Sequence, residues 1–159
     1  PFQMSSVEFF SLVRKHLKDG GVMVVNMNMR SSSEGNINQY LSDTISSVFP
    51  YVYTVDVPGY TNRELFASAN GDFIARGREN IELMAAGKDD ERSVTLVSWM
   101  RNAYSGLERY YGGGYILTDD KAPVELLGMR VIDEMIRDEV SYYRQIYEEQ
   151  GLDGLLGVL

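Results

Sequence analysis

Cysteine is absent from this 159-residue sequence, and histidine occurs once, as His16. The first absence excludes disulfides, a thiolate nucleophile and cysteine-ligated zinc, and it fits a reducing compartment. The second excludes a metal site built from several imidazoles. Basic charge is also short: 15 Lys and Arg stand against 23 Asp and Glu, a net charge of −8. With no basic excess to release counterions, the charge argues against a nucleic-acid backbone as the main partner. A cationic partner would suit that charge, and so would ordinary acidic solubility. No apolar run approaches the about 20 residues of a membrane span, and no signal peptide is visible. What is present suffices for a core: 44% hydrophobic residues against 24% charged is the balance of one domain, or of part of a larger one. The chain opens Pro1-Phe2-Gln3 without an initiator Met. The expectation is a processed product or a segment entered midway through a longer protein.

Hydrophobic periodicity divides the chain in two. Ser5 and Glu8 form a capping-box pattern, and Val7, Phe10, Val13 and Leu17 recur at helical spacing up to Gly20-Gly21. Val22 to Met27 is nearly all apolar. It reads as a strand covered on both faces, in the middle of a mostly parallel sheet. A second helix shows Ile37, Tyr40, Leu41, Thr44, Ile45 and Val48 on one face and stops before Pro50. Tyr51 to Val57 reads as a strand, Pro58-Gly59 as a turn and Glu64 to Ala69 as the antiparallel return. Helix, strand, helix, strand and hairpin strand predict an α/β fold over residues 1–71.

Residues 72–159 read as a helical extension. A short helix covers Ile74 to Ala86. A longer one carries Leu96 to Leu107, with Gly112-Gly113-Gly114 as its breaker. The last helix starts at Pro123, capped by Asp119 or Asp120. Its apolar stripe is Val124, Leu127, Val131, Met135, Val140, Tyr143 and Tyr147.

Four stretches carry a family resemblance. Glu8-Phe9-Phe10 through Leu17-Lys18-Asp19-Gly20-Gly21-Val22-Met23 is similar to the helix, glycine turn and fifth strand of spermidine synthases, the polyamine aminopropyltransferases. Ser47-Val48-Phe49-Pro50-Tyr51-Val52 resembles the family's LFP-x-V approach to its sixth strand. Val57-Pro58-Gly59-Tyr60-Thr61-Asn62 resembles the V-P-T-Y-P-S-G hairpin, with Pro58 and Tyr60 matching and Gly59, Thr61, Asn62 and Arg63 departing. Leu117-Thr118-Asp119-Asp120-Lys121-Ala122-Pro123-Val124-Glu125 resembles the T-D-D-x-A-P-V-E motif of bacterial spermidine-synthase-like proteins, some of them fused to membrane domains. Residues 72–114 match poorly.

The resemblance implies the C-terminal part of a Rossmann-like sheet, of the SAM-dependent methyltransferase type, followed by an α-helical extension. It implies a cytoplasmic parent that moves an aminopropyl group from decarboxylated S-adenosylmethionine to a polyamine. In the family the donor nucleoside sits on a glycine-rich turn, and a carboxylate after the fourth strand serves as base. Both lie upstream of this stretch. No catalytic residue and no cofactor site are therefore expected within it, and the isolated segment is expected to be inactive. The Val22–Met27 strand is expected to expose an edge that pairs either with the N-terminal half or with a second copy.

Five residues are candidates for substrate binding. By resemblance, Tyr60 lines the polyamine pocket; it reads equally as a turn tyrosine packed on the sheet. Asn26 and Asn28 lie at the carboxyl end of a strand, where α/β sheets bind ligands, and Asn26 matches a family position that often holds Gln. Both could instead bond a neighbouring loop. Asp119 and Asp120 could face a diamine, or simply cap the last helix. His16 is expected on a helix surface. Trp99, the tyrosines 110, 111 and 115, and Met27 with Met29 are expected in packing, Asp89-Asp90-Glu91 in a solvated loop. The rival reading is a non-catalytic interaction or dimerisation module on a degenerate Rossmann scaffold, with the helix from Pro123 to Gln150 as its working surface.

Overall fold

A computed structural model describes residues 2–28, 33–59, 61–87 and 91–158. Tyr60, Met29, Asp89 and Asp90 lie outside the described residues. The first helix, α1, runs Val7–His16. Its N-cap is Ser6, whose hydroxyl accepts from the Phe9 amide at 3.2 Å; the cap thus falls one residue after the expected Ser5. Glu8 closes no box with Ser5 and instead accepts from the backbone N–H of Asp119 at 3.1 Å. Gly20, at φ 72°, turns the chain into strand β1, Val22–Met27. Helix α2, Ile37–Val48, is capped by Asn36 and ends where Pro50 requires. It is followed by β2, Tyr51–Asp56, and β3, Arg63–Ser68.

The sheet order is β1-β3-β2-β4. Strand β3 pairs antiparallel with both β1 and β2, so β1 and β2 run parallel with the return strand between them. One face is the core. Leu65 and Ala67 of β3, Val52 of β2 and Met27 of β1 pack there with Phe10 of α1 and with Ile45, Val48 and Phe49. Each of the larger side chains contributes about 1.5–3 kcal/mol when fully buried.

The expectation of a strand covered on both faces is corrected by β1. It is an outer strand here, and its alternate residues Val22 and Val24 are 37% and 55% exposed. A continuous apolar run records the chemistry of a strand but does not say whether a second layer lies on it.

Helices α3, Phe73–Ala86, and α4, Glu91–Ser105, pack on each other. The ring of Phe73 meets Tyr53 edge-on at 5.6 Å on the sheet's second face. Trp99, expected in packing, is 67% exposed. His16 is on the surface and Met27 in the core, both as expected. Helix α4 does not reach Leu107. It stops at Ser105, and Glu108–Arg109 forms a short strand, β4, along β2. There the Arg109 guanidinium lies over the rings of Tyr51, Tyr53 and Tyr111 at 4.8, 5.4 and 5.5 Å. Tyr111 is otherwise exposed.

Helix α5 runs Val124–Leu156 with a kink at Gly151. Only the start of its stripe is buried against the body: Leu127 and Val131 join Ile37 and Leu117 in a second cluster. Met135, Val140 and Tyr147 are exposed, which corrects their reading as one continuous core stripe.

Candidate functional site

Because β1 and β2 run parallel, their carboxyl ends lie at the same edge of the sheet, on either side of the start of β3. The register aligns Met27, Arg63 and Asp56 across the sheet, with Asn26 opposite Glu64. Asn26 and Asn28 are brought together here by a residue the sequence did not mark. The side-chain amide of Asn62 donates to Asn26 Oδ1 at 2.9 Å and to Asn28 Oδ1 at 2.7 Å. One NH2 group thus fixes two acceptors, which leaves the Asn62 carbonyl and the amide donors of Asn26 and Asn28 available to a ligand. Strand partners point to the same face, so Glu64 adds a carboxylate beside Asn26. Neither Asn62 nor Glu64 carries a signal in spacing or periodicity; only the hairpin register finds them.

The neighbouring charges are already matched. Arg63 holds Asp56 through two bonds, Nε–Oδ1 at 2.5 Å and Nη2–Oδ2 at 3.2 Å. That hydrogen bond is the main reason the Arg63 pKa is raised. The Asp56 carboxylate is therefore engaged, and Glu64 is the acid of this end that fits an ammonium group.

Asp119 and Asp120 belong to another group. They occupy an exposed turn closed by Thr118 and Lys121. Asp119 accepts from the hydroxyl of Ser6, and its own N–H reaches Glu8. Neither caps α5, whose N-cap position is Pro123 without a side-chain cap bond. Asp119 braces the entry to α1, and its bonds do not run to the asparagine cluster.

The most elaborate polar cluster of the fold went unmarked in the sequence. Asp43 of α2 is 1% exposed. Its Oδ1 accepts from the Tyr110 hydroxyl at 2.6 Å and the Gly113 amide at 2.9 Å, and Oδ2 from the Tyr115 amide at 3.0 Å. Tyr115 also packs on the Tyr40 ring at 4.8 Å. A Cβ at Gly113 would sit 2.7 Å from Asp43 Oδ2, and one at Gly112 would strike the Ser46 hydroxyl. The glycines expected to break a helix instead let the chain pass close to α2.

Burial and the Asp43 hydrogen bond push the Tyr110 phenol well above its usual range. Only the protonated phenol can donate to the carboxylate. The stability it contributes is complete below the unfolded tyrosine pKa of about 10 and is lost as pH rises toward the higher folded value. In an alkaline titration followed by phenolate absorbance, one tyrosine is expected to ionise after the rest. Tyr110→Phe should remove that late step; its persistence in the variant would show that another residue produces it.

Among the described residues, no group of three or more His, Cys, Asp and Glu could hold a metal ion. No described helix is long and apolar enough to cross a membrane.

The class defined so far is an α/β protein with a polar wall, rich in carbonyl and carboxylate oxygen, at the carboxyl ends of two parallel strands. The chain is 47% identical, over 172 residues, to a protein of Bifidobacterium longum (strain NCC 2705) named "Probable polyamine aminopropyl transferase". The match covers 98% of this chain and 37% of that protein. It therefore takes in residues 72–114, where motifs gave no resemblance. The chain belongs to the spermidine synthase-like polyamine aminopropyltransferase family, and it spans little more than a third of the length of that relative. No family model and no solved structure matches it.

Proposed function

We propose that this chain is the acceptor-side, C-terminal segment of a polyamine aminopropyltransferase: the last strands of its Rossmann-like sheet and a helical extension. One observation carries the reading. In a chain 47% identical to a named aminopropyltransferase, Asn26, Asn28 and Asn62 converge where two parallel strands end. Two features add support: the antiparallel β3 between parallel β1 and β2, and an acidic surface suited to a polycation. In this reading Glu64 and the Asn62 carbonyl accept from an ammonium end of the polyamine, and Asn26 and Asn28 hold Asn62 in place. By family resemblance Tyr60, which lies outside the described residues, is the candidate for contact with the methylene chain.

The residues present fit the acceptor rather than the donor. A nucleoside cradle needs a glycine-rich turn leading from a strand into a helix, open to the ligand. The space above Gly112 and Gly113 is filled by Ser46 and Asp43, so no step through decarboxylated S-adenosylmethionine is assigned to this chain. The uncovered Val22 and Val24 and the free edge of β1 are proposed to meet the remaining polypeptide of the complete enzyme.

Titration of the chain with putrescine or spermidine should shift NMR signals of Asn26, Asn28 and Asn62. Asn62→Leu should weaken that binding about tenfold, by removing the hub and leaving polar groups unpaired. Equal binding by wild type and Asn62→Leu would place the acceptor elsewhere. Incubation with decarboxylated S-adenosylmethionine and putrescine should yield no spermidine; product above blank would show the donor site to lie within these residues.

A further inference from the structure

Helix α5 is apolar on two opposite sides, and only one is covered. At about 100° per residue, Val124, Leu127 and Val131 share the side packed toward α2, with Leu127 and Val131 4% and 1% exposed. On the opposite side Leu126, Met129, Ile136, Val140 and Tyr147 are 53–62% exposed. Together with Asp133 and Tyr143 these residues follow an alternating three–four spacing from 126 to 147. This is the a/d seam of a coiled coil: Leu126, Asp133, Val140 and Tyr147 at a, and Met129, Ile136 and Tyr143 at d.

The charges beside the seam select its occupant. One flank carries an arginine in each heptad, Arg130, Arg137 and Arg144. The other carries Glu125, Ile132, Glu139 and Ile146. Against a second copy in parallel orientation, each g residue faces the e residue five places later on its partner. Glu125 then meets Arg130, and Glu139 meets Arg144. An antiparallel copy would set arginines against arginines.

We infer that α5 pairs in parallel with the α5 of a second copy of this chain, through the seam from Leu126 to Tyr147. Leu127 and Val131 lie opposite the seam, and of its flanking residues Ile146 is already buried, at 9% exposure. Arg144 at present holds Glu148 at 2.9 Å on the same helix, with both side chains more than half exposed, so it can be shared with a partner glutamate at little cost. Asp133 would meet its own copy at an a layer. Two like charges there weaken the pair. The inference is independent of the aminopropyltransferase reading, since it uses no residue of the acceptor wall.

The test uses sedimentation equilibrium and cross-linking. The 18.0 kDa chain should show a concentration-dependent rise toward twice its mass. Val140→Glu should abolish that rise, and at a dilution where both chains are monomeric the two should melt alike, because the side chain is exposed in the monomer. The natural absence of cysteine makes single-cysteine variants clean reporters: Leu126→Cys and Tyr147→Cys should each cross-link to itself. Reversing Arg144→Glu should weaken the dimer roughly threefold to tenfold, and adding Glu139→Arg should restore it. A chain monomeric up to about 1 mM, a dimer that survives Val140→Glu, or cross-linking only in a mixture of the two cysteine variants would each overturn the inference.

Discussion

Replacing Asp43 with alanine is expected to cost about 3 kcal/mol of folding stability, or roughly 6–12 °C in Tm for a domain of this size. The carboxylate is 1% exposed and is the common acceptor for the Tyr110 hydroxyl and the amides of Gly113 and Tyr115. Hydrogen bonds to a charged acceptor contribute more than neutral ones, and donors left behind without a partner carry a desolvation cost. Asp43→Asn keeps the shape but turns an NH2 group toward a donor, so an intermediate loss of about 1–2 kcal/mol is expected. Tyr110→Phe removes one donor and keeps the acceptor, for a loss of about 1 kcal/mol. Urea melts of the three variants should fall in that order. An Asp43→Ala melt within about 0.5 kcal/mol of wild type, the range of an ordinary surface change, would mean the cluster does not hold residues 110–115 to α2.

The second large effect is expected at Leu117, which is 0% exposed. Its side chain joins Ile37, Leu127 and Val131. Its amide donates to Thr44 Oγ1 at 2.9 Å, and its carbonyl accepts from Val7 N–H, also at 2.9 Å. A single residue thus ties α1, α2 and the start of α5 together. Leu117→Ala should cost about 2–5 kcal/mol through lost burial and the cavity left behind. The damage should also be local. Amide exchange should quicken over the first turns of α5 while β3, between its two partner strands, keeps its protection. Uniform loss of protection throughout the chain would show that α5 is not separately anchored through this cluster.

The reliability of sequence reasoning here followed the range of the forces involved. For α1, β1, α2, β2 and β3, periodicity and flanking breakers placed the elements correctly to within a residue or two. Gly20-Gly21, Pro50 and Pro58-Gly59 act on the backbone beside them, so a sequence window sees both cause and effect. Strand β4 had no such mark, because two residues have no period. The stretch Leu117 to Val124 was recognisable as a motif, yet neither aspartate caps α5. Asp119 bonds Ser6 and Glu8, more than 100 positions away along the chain.

The proposed acceptor wall was half legible. Asn26 and Asn28 stood out because strand ends in α/β sheets are where ligands bind. Asn62 and Glu64 did not, because their placement depends on the register of a hairpin. Asp43 looked like an ordinary helix polar residue; it becomes a buried acceptor only when the chain some 70 positions later folds over it. Burial of α5 was overestimated for a related reason. An apolar stripe states what a helix face would gain from a cover, not whether the rest of the chain supplies one.

The sequence by itself determined the helices, the strands of the hairpin unit, the exclusion of thiol and multi-histidine chemistry, and the family. Each of these rests on residue chemistry or on neighbours close in the chain. Tertiary structure alone decided the position of β3 between β1 and β2, the junction of three asparagines, the Asp43 cluster and the uncovered side of α5. These depend on residues distant in sequence meeting in space, where hydrogen-bond geometry and exclusion of water fix what each group can do.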